Sequence, residues 1–465
     1  MTEAVIERRF RPPAPEPSET PPDLFGFLAA ARTNPLETWT KVHFEKPIVY
    51  GKGVMGRVLV LSDPKAIRHV LLDNAQNYIK DDLQRRVLAP GEGDGLISAE
   101  GETWRHLRRT LAPMFSPRNV AGFVPAMNEA AMRIVRRLTR REGRVIDMSQ
   151  EMTRVTLDVL ERTIFTQGLD RDPDALGRAI TDLFAAIGPV DPLDVLKMPD
   201  WIPRIGRIRS RPAVRFFGEI VGEITKARRA QMATGGEVPR DILTLLLEAR
   251  DPESGEPLDE PSIGANIVGF IGAGHETTAN ALSWTLYLLS QSADALARLR
   301  EEIDEIVGEG DVEAAHLPKL VYTRAVLEES MRLYPPAPFL SREPIAEDRI
   351  AGIRVPKGTL VAIAPWVLHR HKTLWENPEL FDPERFMPPN REKIDRFAYL
   401  PFGAGPRVCI GQSFSMQEAI IVLARIVQSV TFSMLPGHVV KPVQRVTLRP
   451  EGGLPMRVAA RKVGG

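Results

Sequence analysis

A chain of 465 residues with 43% hydrophobic and 26% charged side chains can bury a large core but is too polar for a bundle of membrane spans. Lys and Arg number 61 against 60 Asp and Glu, a formal charge of +1, so nothing global favours nucleic acid or a charged lipid surface. The sole cysteine, Cys409, excludes an intrachain disulfide framework and fits a reducing cytosol.

The N-terminal stretch through Arg11-Pro12-Pro13-Ala14-Pro15 has neither the apolar core of a signal peptide nor an apolar run of ~20 residues. It reads as a flexible tail over residues 1–20, ahead of a single domain over 21–465, because no repeat, low-complexity run or Gly/Ser linker divides the rest. The expectation is a soluble cytoplasmic protein without a membrane anchor. Arg57-Val58-Leu59-Val60-Leu61 is a strand, and Ser62-Asp63-Pro64 caps a helix beginning near Ala66. From Thr103 to about Arg250 the pattern is mostly helical, broken at Pro117, Pro189 and Pro203. The longest periodic segment starts at Pro261 and runs to about Gln291. Apolar on nearly every face and roughly 45 Å long at ~1.5 Å per residue, it should be a central, buried helix. A charged amphipathic helix covers Arg298 to Glu305, another ends at Leu333-Tyr334-Pro335-Pro336, and a third runs from Gln412 to about Ile426. Val361-Ala362-Ile363 is a short strand, and the turn Arg449-Pro450-Glu451-Gly452-Gly453 predicts a terminal hairpin between Val446-Thr447-Leu448 and Met456-Arg457-Val458. The class is mainly α with a minor β-sheet region.

Phe402-Gly403-Ala404-Gly405-Pro406-Arg407-Val408-Cys409-Ile410-Gly411 sets the cysteine in a glycine-rich loop directly before a helix. The N–H groups and partial positive charge of a helix N-terminus favour a thiolate. Glycines at 403, 405 and 411 let backbone approach a flat, bulky group. The plain alternative is a buried cysteine acting as a small hydrophobe. Gly272-Ala273-Gly274 and Gly403-Ala404-Gly405 open like a dinucleotide fingerprint, but Thr277 and Val408 stand where its third glycine belongs. His275-Glu276 likewise begins a zinc motif whose second histidine position holds Ala279.

Within the long helix, Ala273-Gly274-His275-Glu276-Thr277-Thr278 is a polar patch where packing alone would favour Leu or Ala. Ala273 and Thr277 share one face, Gly274 and Thr278 the next. Gly272 and Gly274 each cost about 1 kcal/mol against alanine, so a close approach should compensate. An alcohol beside a carboxylate makes a proton relay into a confined apolar space. Otherwise Thr277 back-bonds to the carbonyl four residues earlier and Glu276 meets a buried cation. Trp104 and Arg108 project together from a helix start, and Glu329 and Arg332 lie three apart on another, followed by Pro383-Glu384-Arg385-Phe386. Between Gly101 and Arg144 ten arginines face Glu102, Glu129 and Glu142, a local +7 that is either a solvated face or a docking surface for an acidic protein.

The cysteine segment matches Phe-x-x-Gly-x-Arg-x-Cys-x-Gly at every specified position, and the helix patch matches [Ala/Gly]-Gly-x-[Asp/Glu]-Thr-[Thr/Ser]. In both the chain resembles the cytochrome P-450 family. The resemblance implies that family's fold, with the long central helix over a buried haem, and a haem-thiolate monooxygenase that inserts one atom of dioxygen into a lipophilic small molecule by hydroxylation or epoxidation. It makes Cys409 the axial thiolate of haem b iron, with Phe402 beside it and Arg407, Trp104, Arg108, Lys80 and Arg342 holding propionates. Thr277 would hydrogen-bond dioxygen, Glu276 would help deliver protons, and Ala273 and Gly274 would leave room for oxygen and substrate. Glu329, Arg332 and Arg385 would form a structural network. With no flavin or iron–sulfur segment fused, electrons would come from a ferredoxin or flavodoxin-type donor with its reductase, to a monomer. A haem-thiolate isomerase or dehydratase and a non-catalytic haem sensor are the other readings, and the Glu276–Thr277 pair speaks against the former.

Overall fold

A computed structural model describes residues 9–461 except 54–55, 83, 85, 87–94, 167–192, 194–197 and 200. Helices of seven residues or more are α1 (Leu24–Thr33), α2 (Gly101–Leu111), α3 (Val124–Thr139), α4 (Met148–Ile164), α5 (Ile205–Ala233), α6 (Ile242–Glu248), α7 (Glu260–Ser290), α8 (Ala293–Ile306), α9 (Val321–Leu333) and α10 (Gln412–Ser429). Pro189, expected to interrupt the helical stretch, lies outside the described residues.

Helix α7 is the long central helix. Asp259 caps it by accepting the Ser262 N–H at 2.8 Å, and Pro261 occupies the first turn, where a missing N–H costs nothing. No ionisable side chain except His275 occurs from Pro261 to His275, so this part can be covered on several sides at once. Helices α4, α5, α8, α9 and α10 pack on it, and Ile263, Ile267, Ile271, Leu282, Trp284 and Leu288 are buried. Near its end Trp284 stacks on Tyr334, ring centroids 3.8 Å apart, and donates from Nε1 to the Leu448 carbonyl at 3.1 Å.

The strands used below are β1 (Ile48–Gly53), β2 (Gly56–Leu61), β3 (Tyr78–Ile79), β4 (Val145–Asp147), β5 (Leu340–Pro344), β6 (Leu360–Ile363), β7 (Val430–Met434), β8 (Pro442–Gln444), β9 (Leu448–Pro450) and β10 (Pro455–Ala460). A five-stranded sheet has the order β1-β2-β6-β5-β3, with β2 and β6 parallel. It brings Lys80, just past β3, to the same side of the molecule as Arg342 on β5.

Two expectations fail. The terminal hairpin does not form: β9 pairs back on β8, and β10 pairs with β4 and β7. Gly452 and Gly453 turn the chain with φ of 73° and 85°. At Gly453 a Cβ would strike the Asp147 side chain, which accepts the Leu454 N–H at 2.9 Å. The turn is thus drawn to the end of β4, and the following strand is delivered there rather than onto β9. The segment expected to be a loose tail is also docked from Arg9 onward. Arg9 pairs with Asp382, the Phe381 N–H donates to Phe10 O at 3.0 Å, and the Phe10 ring meets Tyr287 edge-on at 5.9 Å. The Tyr334 hydroxyl donates to Pro13 O at 2.8 Å. Prolines restrict the unbound chain, so few contacts suffice to order it.

Candidate functional site

The cysteine loop is held by its own backbone. Cys409 N–H donates to Phe402 O at 2.9 Å, and Val408 N–H to Gly405 O at 3.1 Å. Gly403 and Gly405 both have φ of 71°, and a Cβ on Gly405 would run into the Leu71 carbonyl, so only glycine lets the loop lie against that segment. From α2, Arg108 Nη1 donates to Val408 O at 2.9 Å. The Cys409 side chain has exposed surface, yet protein surrounds it so densely that burial pushes its thiol up. Both hold for a group facing a space enclosed by protein. The Gly411 N–H and the Arg108 charge oppose the rise without cancelling it. The helix N-terminus alone therefore does not yield the expected thiolate; a bound metal cation would, because a coordinating thiol loses its proton outright.

On α7, Thr277 Oγ1 donates to Ala273 O at 2.6 Å, and Ala273 is exposed although it lies in the middle of a central helix. Gly274 turns elsewhere: a Cβ there would meet the Leu160 side chain at 3.2 Å, so its small size serves the packing of α7 on α4 rather than room for a ligand. Burial pushes the His275 imidazole down, and its Nδ1 lies 2.9 Å from Ile271 O. Among the described residues Glu276 meets no cation; its Oε1 accepts from Thr447 Oγ1 at 2.7 Å, and Thr447 Oγ1 in turn accepts from Asn280 Nδ2 at 3.1 Å. Thr278 Oγ1 lies 3.0 Å from Ser415 Oγ on α10, whose N–H donates to Gly411 O at 2.8 Å. The alcohol–carboxylate patch and the cysteine loop are thus joined through one hydroxyl pair.

Cations gather beside the loop. Arg407 pairs with Glu100 and lies over the Trp104 ring, 4.3 Å from its centroid. Lys80 Nζ donates to Ala99 O at 2.8 Å and lies 3.5 Å from Glu100 Oε1. Arg342 is buried, and among the described residues its guanidinium makes one hydrogen bond, to Ser341 O at 2.7 Å. A buried guanidinium with most of its N–H groups unspent calls for an anion. With a thiol of a kind that can ligate a metal facing an enclosed space beside it, the donor set fits a porphyrin bearing carboxylates and taking a thiolate ligand. Among the described residues no group of three or more His, Cys, Asp or Glu could hold a metal, so Cys409 would be its protein ligand.

Behind the loop, Glu329 and Arg332 are fully buried and bidentate, at 2.7 and 2.8 Å. Arg332 also donates to the carbonyls of His369, Pro378 and Leu380, at 2.8, 2.7 and 3.0 Å. Arg385 Nε stands 3.6 Å from Glu329 Oε1, and Asp382 N–H donates to that oxygen at 2.8 Å. Sequence reasoning missed Glu100, Ser415 and Thr447. The first carried a local signal, an acid directly before a glycine at a helix start; the other two carried none.

The family model described as "Cytochrome P-450" matches residues 15–455. "Protein LUTEIN DEFICIENT 5, chloroplastic" of Arabidopsis thaliana is 30% identical over 87% of this chain and 70% of its own length. "Cyclooctat-9-en-7-ol 5-monooxygenase" of Streptomyces melanosporofaciens is 31% identical over 89% of this chain and 88% of its own. The crystal structure of the cytochrome P-450DA heme domain superposes with a TM-score of 0.83 at 26% identity, covering 97% of this chain and 99% of that one.

Proposed function

The chain belongs to the cytochrome P-450 family, and on that premise we propose that it is a haem b monooxygenase using dioxygen to hydroxylate or epoxidise a lipophilic small molecule. Its relatives include named monooxygenases, and the enzyme is an oxidoreductase with a haem-thiolate centre.

Cys409 would bind the iron, and Lys80, Arg342 and Arg407 would hold the carboxylates. The bound haem supplies reductive activation of dioxygen, which thiolate donation favours. The Gly411 N–H and Arg108 lower the charge cost at the sulfur. Thr277 donates its O–H to Ala273 O, which leaves its oxygen lone pairs free to accept a hydrogen bond from a donor in the space beside Ala273. Glu276, one residue away and held by Thr447, would be the carboxyl through which protons reach this turn of α7. What carries this reading is the Thr278–Ser415 contact, which ties the proton-handling turn of α7 to the helix that starts beside Cys409.

The relative named for oxygenating cyclooctat-9-en-7-ol, by its name an unsaturated alcohol, supports a hydrocarbon-rich substrate. A ferredoxin or flavodoxin-type donor with its reductase would feed electrons to a cytoplasmic monomer. Among the described residues no helix is long and apolar enough to cross a membrane. The test is the ferrous carbonyl spectrum of the purified protein, which should show the red-shifted band of thiolate ligation in the wild type and lose it in Cys409→Ser. Turnover of a substrate without any reductant would instead identify an isomerase or dehydratase.

A further inference from the structure

Three cations stand at one corner of the site, and they repel each other. Burial pulls the Lys80 ammonium down to about 8; Glu100 opposes this, while Arg407 and Arg342 add to it. Arg342 is drawn down to about 10, by burial and then by Arg407, against Glu100 and Asp81. Asp81 is engaged by the Ser341 hydroxyl. Glu100 is the carboxylate that touches two of the cations, one oxygen on Arg407 and the other near Lys80 Nζ.

Glu100 is anchored by backbone. It is the N-cap residue of α2 with extended φ and ψ of −131° and 168°, Gly101 after it turns with φ of 57°, and its Oε1 accepts the Lys80 N–H at 3.0 Å. The anion is therefore built into the junction of β3, α2 and the cysteine loop, while among the described residues the Arg342 guanidinium makes one hydrogen bond, to Ser341 O.

We propose that Glu100 is a resident anion that compensates this cation cluster and so sets the net charge felt by a bound haem. The inference rests on the reading of Cys409 as ligand of a porphyrin with two carboxylates. It assigns Glu100 to charge compensation and positioning, not to catalysis.

The full-length, haem-loaded protein and its Glu100→Gln and Glu100→Asp variants should be compared by potentiometric titration. Glutamine can still accept the Lys80 N–H but removes the charge; aspartate keeps the charge. A unit charge about 10 Å away at an effective dielectric of ~20 changes the reduced-to-oxidised ratio at a given applied potential on the order of tenfold. The expected result is a more positive midpoint in Glu100→Gln, by that factor, and a near-wild-type midpoint in Glu100→Asp. Equal midpoints in all three, or equal shifts in both variants, would overturn the proposal, since a purely structural role does not distinguish charge from shape. Wild-type protein that takes up no haem would overturn the ligand reading itself, and this inference with it.

Discussion

Because Thr277 donates to Ala273 O in the resting helix, the helix already satisfies its hydroxyl, and what the pocket gains is an acceptor. Thr277→Ala should leave haem spectra intact but cut product formed per reductant consumed by roughly tenfold or more, with Thr277→Ser close to wild type; parallel assays of product and reductant decide this. His369 is a different kind of residue. Fully buried beside Arg332 and Arg370, it accepts the Leu400 N–H at 2.8 Å, and burial first, then those two guanidiniums, pulls its imidazole down to about 3. An unfolded histidine titrates near ~6.5, so between that pH and about 3 the unfolded chain takes up a proton that the native chain refuses. Stability should therefore fall as pH falls through this window, by about 2 kcal/mol at pH ~5, and His369→Gln should flatten that slope in denaturant titrations. Cys409 and Thr277 were legible because each sits in a short motif with set spacing. Ser415 and Thr447 were not, because their partners Thr278 and Glu276 lie 137 and 171 positions away.

Among elements, α7 shows what a pattern can give: an early Pro and a long apolar periodicity set its limits within a residue of Glu260–Ser290. The C-terminal strands show what it cannot. A glycine turn between two apolar runs reads as a hairpin, yet Asp147, over three hundred positions upstream, pulls Leu454 to β4 instead. The cost of the Gly274 vacancy is likewise recovered only in the contact of α7 with Leu160 of α4. Helix α9 is tied to the segment before the cysteine loop by Glu329 and Arg332, both fully buried. Glu329→Gln would leave Arg332 charged and uncompensated, and should destabilise the fold by about 3–5 kcal/mol in equilibrium unfolding.

For the molecule as a whole, the excess of arginines between Gly101 and Arg144 is smaller than the count suggests. Arg105, Arg109, Arg133, Arg137 and Arg141 pair with carboxylates, and Arg108 serves the Val408 carbonyl. Arg118, Arg136, Arg140 and Arg144 are exposed and carry no carboxylate partner among the described residues. If an acidic electron donor docks there, reduction by a ferredoxin should slow about tenfold as salt rises from low to physiological strength, and Arg136→Gln with Arg140→Gln should flatten that dependence in stopped-flow traces. The overall class, mainly helical with minor sheets, was readable from periodicity, while the docking of residues 9–13 was not, since proline-rich polar stretches look alike whether bound or free. That docking also bears on biogenesis. Pro13 waits for Tyr334, 321 positions further on, so this contact cannot form before α9 has been made. Until translation has passed α7, Phe10 has no Tyr287 ring to close against and stays an unsheltered aromatic.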